Sequence, residues 1–531
     1  MRRLLTGPAL PSLEVAAIDS VIENVDTHPQ SVLHITPQNH PTEATRDRWN
    51  AAAPSAMASV LTLDDIVSTA YRRDQYKSDI TYIDRPLLFR LVELGVEGID
   101  SPENPLYSGD ALASAGLVEE AEDLFTNLEF AGLLSATAMQ TRLEAEGLDE
   151  RAAHVAELAA EIEAARTELL AEEFPETYRT ERMEHVITEC SLSELFPSVE
   201  AIVISGFTRF EALEGAFLEE LVGTWPTVAV APQQVDTDDV AGVDAGTARA
   251  IATYLELDFE QEYHEPAPSP RTAARRRLTR NLYRHPSVGP SVSDIDSTDF
   301  DLTVAEPETV PEELRSVARD IRVRLAEGTP PEEIGVVLTN PAQYAAQIQE
   351  LFEAYDIPFH IETDQPLAET ALGDAVTAIS ALAEEPRAVD DLLGLLTNPL
   401  VAVDHSEVDH RAIARIAARA DTNRLASTLA YADESVTAGV ESLLRDVEAL
   451  ATTSLEALPA QLEALFTRLG IDAALEGERT LSKSRLRREQ QAKSSLDRVL
   501  ETLAMTAPLA DLDAGDAIAR LERALNGVSV R

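Results

Sequence analysis

The stretch from Glu306 to Gly373 limits the possible folds most, because its hydrophobic period switches between helical and extended within a short span. Apolar residues at Leu314, Val317, Ala318, Ile321 and Leu325 line one face of a helix. Glu312 and Glu313 stand in its first turn, where the helix dipole favours negative charge, and Gly328 with Pro330 and Pro331 ends it. Ile334-Gly-Val-Val-Leu-Thr339 is then an apolar run of strand length. A second amphipathic helix turns Tyr344, Ile348, Leu351 and Phe352 to one side, and Asp356-Ile-Pro-Phe-His-Ile361 alternates as a half-buried strand does. Strand, crossover helix and strand of this length predict a right-handed parallel βαβ unit.

The same α/β pattern occurs at the start and in the middle of the chain. A strand is expected at Arg3–Thr6, followed by the loop Gly7-Pro-Ala-Leu-Pro-Ser12, a helix from about Leu13 to Val25, and a strand at Val32–Thr36. Val199–Ser205 and Thr227–Val230 are further apolar runs, with a helix between them to about Val222. From about Asp74 to Leu192, and again from about Asp374 to Gly527, the pattern is helical. Val155, Leu158, Ile162 and Leu169 share a face of one long Ala/Glu-rich helix, but without sustained heptads, so packing inside a helical region is expected rather than a coiled coil.

The wording of the segment Glu312–Gly373, "EELRSVARDIRVRLAEGTPPEEIGVVLTNPAQYAAQIQELFEAYDIPFHIETDQPLAETALG", resembles the opening of the second motor domain of UvrD-like (superfamily 1) helicases. It is most similar to AddB/RecC-like subunits of the helicase–nuclease complexes that process broken DNA ends. "DLLGLLTNPL" (Asp391–Leu400) resembles the element that follows in that family, and "SVLTLDDIVSTAYRR" (Ser59–Arg73) resembles the segment leading out of the first motor domain. "VEAIVISGFTRFEALEGAFLEEL" resembles its Walker B strand.

The resemblance implies an α/β fold with two RecA-like parallel-sheet domains, the second incomplete, each with a helical insertion. On that reading residues 1–60 plus 195–285 form the first motor domain and 61–194 its insertion. Residues 286–375 begin the second and 376–531 form its insertion. The family's chain then returns to complete the second sheet and continues, in AddB-type proteins, into a PD-(D/E)XK nuclease. This sequence ends at Val528-Ser-Val-Arg531, so that nuclease region is expected to be missing, and either the gene product is split or truncated or another chain completes the sheet.

The resemblance also places the nucleotide-contacting positions, and they are degenerate. The loop after the first strand keeps Gly7 and Ser12 but lacks the Gly-Lys pair of a phosphate-binding loop, and Pro8 and Pro11 remove two N–H donors. Ser205 stands where the Walker B aspartate would hold Mg²⁺, and a neutral hydroxyl cannot replace that charge. After Gln343, the position of the arginine expected to reach the γ-phosphate is Ala345. No catalytic residue, metal ligand or cofactor is therefore expected, and the alternative is a working ATP-dependent helicase that binds ATP and Mg²⁺ through atypical contacts. The partners implied are single-stranded DNA or a duplex end and a companion helicase or nuclease subunit, in the cytoplasm.

Charge sharpens the search for a DNA contact. The net charge is −51 and lysine occurs only at Lys77, Lys483 and Lys493. Such a surface suits concentrated salt, where the Debye length falls to roughly 3 Å at 1 M and self-repulsion is screened. Against it, Arg271–Arg284 holds six arginines and no acid. Arg275, Arg276, Arg277, Arg280 and Arg284 are candidates for phosphate contact and Tyr283 for base stacking, with pairing to neighbouring acids as the alternative. Lys483–Lys493 is a second basic island, with Arg487 and Arg488 as candidates. Asp404, His405, Asp409 and His410 lack helical spacing for a shared metal and are expected to be a solvated loop. The one cysteine, Cys190, excludes an internal disulfide, a cysteine-built zinc site and a four-cysteine cluster. No run approaches the length of a membrane span, and Met1–Pro8 is expected to be the first strand and no signal peptide.

Overall fold

The computed structural model describes the chain apart from residues 9, 25–27, 38–41, 54–57, 76–82, 108–112, 134, 171–177, 234–244, 265–302, 340, 360, 362–364, 384, 403–408, 478–480, 482, 510–515 and 531. The chain divides into two compact units, one of residues 1–83, 126–142 and 174–304, the other of 84–125, 143–173 and 305–531.

The first unit is an α/β layer built on six parallel strands. These are β1 (Arg2–Gly7), β2 (Val32–Thr36), β3 (Ser59–Thr62), β4 (Ala201–Ile204), β5 (Thr227–Pro232) and β6 (Glu260–Tyr263), in the spatial order β3-β2-β4-β5-β1-β6. The register sets Leu4 beside Ala229, Ile202 beside Thr227, and His34 beside Val203. Alternate side chains point to opposite faces of a strand. Leu4, Leu33, Ile35, Ile202 and Ile204 accordingly pack on one face against Ile66, Phe217 and Tyr254. Leu5, Val32, Val203, Val228 and Val230 pack on the other against Leu13, Ile18, Val21 and Trp49. Cover on both faces is why the central strands are continuous apolar runs. The expected strands at the start of the chain and around residues 199–205 and 227–230 are present, and the α/β class holds.

Two strands were not foreseen. β3 (Ser-Val-Leu-Thr) has only two apolar residues, too short a run to mark a strand, and β6 (Glu-Gln-Glu-Tyr) is an edge strand whose first three residues are exposed and carries no apolar signal. The first helix also starts earlier than expected, at Leu10, with Pro11 in its first turn where a missing N–H costs nothing.

The second unit is mostly helical, with a core drawn from residues 367–530. The helix Arg85–Glu97 packs against Asp149–Leu170 so closely that a methyl group at Gly95 would lie 2.4 Å from Ile162. The long Ala/Glu-rich helix thus spends its stripe on packing within this unit, with Leu158 and Ile162 buried. A short antiparallel pair, β7 (Gln365–Pro366) with β8 (Ser529–Val530), is its sheet among the described residues.

One expectation is corrected here. The helices Val310–Ala326 and Pro341–Ala354 form as expected, but Ile334–Leu338 and Ile357–Phe359 pair with no strand among the described residues. The apolar period matches a strand, yet a ladder needs neighbours to receive its N–H and C=O groups. Without them the segments border an open apolar cleft of about 750 Å³, and Val337 is 96% exposed.

A buried charge cluster joins two distant pieces of this unit. Glu93 and Arg90 pair within the Arg85–Glu97 helix, and Arg520 and Arg523 reach them from Asp516–Gly527. Arg523 Nη1 lies 3.0 Å from Glu93 Oε1, and Arg520 Nη2 2.8 Å from Glu97 Oε2. Arg90 also donates to Thr506 Oγ1 at 3.1 Å. Burial holds the Arg90 guanidinium below its ordinary pKa, opposed by the Glu93 charge.

Glu122, on the helix Ala115–Phe130, is also largely buried, with Arg85 3.8 Å away and Glu119 and Asp123 beside it. Burial is the main cause that pushes its carboxyl up to about 7. A carboxyl raised in the folded state favours folding while protonated, so its contribution is complete below the unfolded value near 4.5 and is lost as pH rises through about 7. Glu122→Gln is expected to flatten stability over that window, raising it at pH 8 by on the order of 2 kcal/mol. Denaturant melts of both proteins at pH 5 and pH 8 check this; parallel losses in both would contradict it.

Candidate functional site

The carboxyl ends of parallel strands are where open α/β sheets bind ligands. At this edge the chain leaves β4 through Ser205 and Gly206, and Gly206 has φ +84°, a value that glycine adopts without strain. That turn carries Phe207, Thr208 and Arg209 over the sheet edge. Together with Pro37 after β2, and Thr62 and Asp64 at the end of β3, they border a cleft of about 540 Å³.

Polar groups in this cleft are paired. Arg179 lies 2.6 Å from Asp64 and 3.6 Å from Glu214, with its guanidinium 4.9 Å from the centre of the Phe130 ring. Arg209 lies 3.0 Å from Glu211. Asp65 accepts from the Thr62 backbone N–H at 3.0 Å and hydroxyl at 2.8 Å, which fixes the turn out of β3. The cleft therefore offers an aromatic face, hydroxyls and two guanidiniums that could exchange carboxylates for phosphates.

Behind the edge, the positions expected to contact nucleotide are occupied differently. Ser205, Glu14 and His34 are fully buried and Trp49 is 1% exposed. Trp49 Nε1 donates to His34 Nδ1 at 2.9 Å, so Nδ1 carries no proton and Nε2 carries it. His34 Nε2 then donates to Ser205 Oγ at 2.7 Å, and the Ser205 hydroxyl donates to Glu14 Oε1 at 2.6 Å. Arg48 donates to the other oxygen, Glu14 Oε2. Every donor points the same way, from indole to carboxylate. An activated serine needs the reverse, with its proton passing to the imidazole, so this is no nucleophile–base pair.

These residues do not fit a magnesium nucleotide. The Ser205 hydroxyl is committed to Glu14, and both Glu14 oxygens have partners. Only Pro8 and Ala9 separate β1 from the first helix, against the longer loop expected to reach Ser12. Ser12 is exposed on that helix. Gly7 has a packing reason to be glycine: a methyl group there would meet the His264 carbonyl oxygen at 2.5 Å. Gln343 lies near the start of the helix Pro341–Ala354, in the other unit.

The basic candidates separate. Arg275, Arg276, Arg277, Arg280, Tyr283 and Arg284 lie outside the described residues, as do Asp404 and His405. Arg487 is exposed on the helix Lys483–Met505. Arg488, half-buried beside it, donates to Gln349 Oε1, and burial holds its pKa below the ordinary value. Its neighbour Glu489 is buried and accepts from the backbone N–H groups of Ala371 and Leu372 at 3.1 and 2.9 Å, capping a helix start. Asp409 caps the helix His410–Ala420 in the same way. His34, Trp49 and Glu14 were not singled out from the sequence. The available signal was a histidine inside the apolar strand Val-Leu-His-Ile-Thr, which requires buried partners.

No family model matches the chain. The chain is similar to the ATP-dependent helicase/deoxyribonuclease B subunit of Lactococcus lactis subsp. lactis, 24% identical over 220 residues, which are 39% of this chain and 20% of that protein. It is 24% identical over 241 residues to the protein of the same name in Streptococcus pneumoniae, covering 42% of this chain and 22% of the relative. The exonuclease/helicase subunit RexB of Lactococcus lactis subsp. cremoris is 24% identical over 220 residues, 39% of this chain and 20% of its own length. The chain thus spans about a fifth of the length of the curated relatives it matches. Among the described residues no helix is long and apolar enough to cross a membrane.

Proposed function

We propose that this chain is a DNA-handling subunit of a helicase–nuclease assembly acting in the repair of broken DNA ends, and that it does not itself hydrolyse ATP. The likeness to helicase/deoxyribonuclease B subunits supports the assembly and its substrate. The observation that supports the second half is the buried relay Trp49–His34–Ser205–Glu14–Arg48, which takes up Ser205, the residue that the resemblance sets at the magnesium position. On this reading residues 1–60 plus 195–285 are a motor-type domain with the insertion 61–194, and 286–375 and 376–531 are the start and insertion of a second. DNA would lie along the carboxyl edge of the sheet, with the arginines of 271–284 on its phosphates, and a companion subunit would supply the motor or nuclease. The site of action is the cytoplasm, and the excess of acid suits concentrated salt.

The test is fluorescence anisotropy with a labelled single strand and a labelled duplex end across a salt series. Each phosphate contact contributes about 0.7–0.9 to the slope of log affinity against log salt. Arg275→Glu with Arg276→Glu is expected to weaken binding at every salt concentration and to lower that slope by about 1.5. No binding to either DNA at any salt would sink the DNA-handling reading.

A further inference from the structure

Three side chains with metal-ligating atoms meet in the first unit, away from the sheet edge and the buried relay. Asp74 stands at the end of the helix Leu63–Gln75, His185 on Arg179–Glu189, and Cys190 caps the C-terminus of that second helix in an extended conformation. Their ligand atoms all lie within 4.8 Å of one another, and all three residues are half-buried. Asp74 lies more than a hundred positions from the other two along the chain, so packing of the two helices creates the group.

Asp74 is the hub of the group. Gln75 Nε2 donates to Asp74 Oδ2 at 2.9 Å and lies 3.2 Å from His185 Nε2. His185 Nε2 lies 2.9 Å from the same Asp74 oxygen, and the Cys190 thiol donates to Asp74 as well. An imidazole and a thiol thus converge on one carboxylate, where a divalent cation can displace the thiol proton while the imidazole proton sits on Nδ1. The Tyr71 and His185 rings pack with centres 5.1 Å apart and planes at 79°.

We propose that Asp74 Oδ2, His185 Nε2 and Cys190 Sγ form a site for a single divalent cation of the zinc class, with a fourth position open to water. Neither a second cysteine nor a cluster is needed: one carboxylate, one imidazole and one thiolate are a three-ligand set of the kinds zinc accepts. Bond lengths of roughly 2.0–2.3 Å in a tetrahedral site set ligand atoms about 3.3–3.7 Å apart, so Asp74 Oδ2 and His185 Nε2 part slightly from 2.9 Å on binding. On binding, the sulfur–metal bond forms, the thiol proton passes to solvent and no electron moves. Burial and Asp74 hold that thiol up at about 11 without metal.

The experiment uses the full chain, chelator-treated and reduced, titrated with Co²⁺ as the spectroscopic stand-in. A thiolate-to-cobalt charge-transfer band saturating at one equivalent, absent in Cys190→Ser, is the expected result. His185→Gln is expected to weaken binding by more than the roughly 10–100-fold that loss of an outer partner costs. Zinc should raise the unfolding temperature of the wild-type chain and leave that of Cys190→Ser unmoved. Cys190→Ser exchanges one half-buried atom and should fold, so its melt without metal serves as the control. A reduced protein giving no band, or equal metal affinity in the wild type and Cys190→Ser, overturns the proposal.

Discussion

Glu93→Ala is expected to destabilise the helical unit by about 3–5 kcal/mol, the loss typical when one partner of a buried charge group is removed. Glu93 is 2% exposed and faces Arg90, Arg520 and Arg523, with Glu97 the other carboxylate at hand. Removing it leaves three buried guanidiniums against one acid. In a unit of this size each kcal/mol moves the melting temperature by roughly 2–4 °C, so a fall of about 10 °C is expected. Because the group is out of solvent, the loss should be nearly the same at low and high salt. A surface pair such as Arg324 with Asp320 should contribute little, and only at low salt. A shift below about 2 °C for Glu93→Ala would mean that the arginines find other partners.

The second large effect concerns the relay beneath the sheet edge. Arg48→Ala is expected to cost about 3 kcal/mol or more, because it removes the cationic partner of a fully buried Glu14 carboxylate. Glu14→Gln should cost about 1 kcal/mol, since its amide oxygen still accepts from Ser205 while Arg48, partly exposed, turns to water. The ordering is the informative part. If the relay were incidental packing, the isosteric change at Glu14 and the truncation at Arg48 would cost alike. Chemical denaturation of the two variants decides it.

The sheet centre was legible because strands covered on both faces are written as unbroken apolar runs, as in Ala201–Ile204 and Thr227–Ala231. Edge strand β6 was not, since Glu260-Gln-Glu carries no burial signal. The run Ile334–Leu338 shows the opposite failure. Its period is that of a strand, but a strand is defined by a neighbour, and periodicity reads one segment at a time. That a serine stands at 205, where the resemblance expects an aspartate, was readable in the sequence; its buried partners were not. Glu14, His34 and Trp49 come from three separate elements and meet only through the fold, and Asp74 meets His185 and Cys190 from a different helix. Glu93 and Arg523 likewise lie far apart along the chain. Side-chain chemistry assembled over such separations leaves no pattern in spacing.

The proposed role rests on one claim, that this parallel sheet is of the motor type and that its own buried side chains take the place of nucleotide. Its most direct measurement is equilibrium binding and turnover of ATP with Mg²⁺, with and without single-stranded DNA, by the purified chain at high salt. The account predicts no saturable nucleotide binding and no hydrolysis above background in either condition. Hydrolysis stimulated by single-stranded DNA would contradict it.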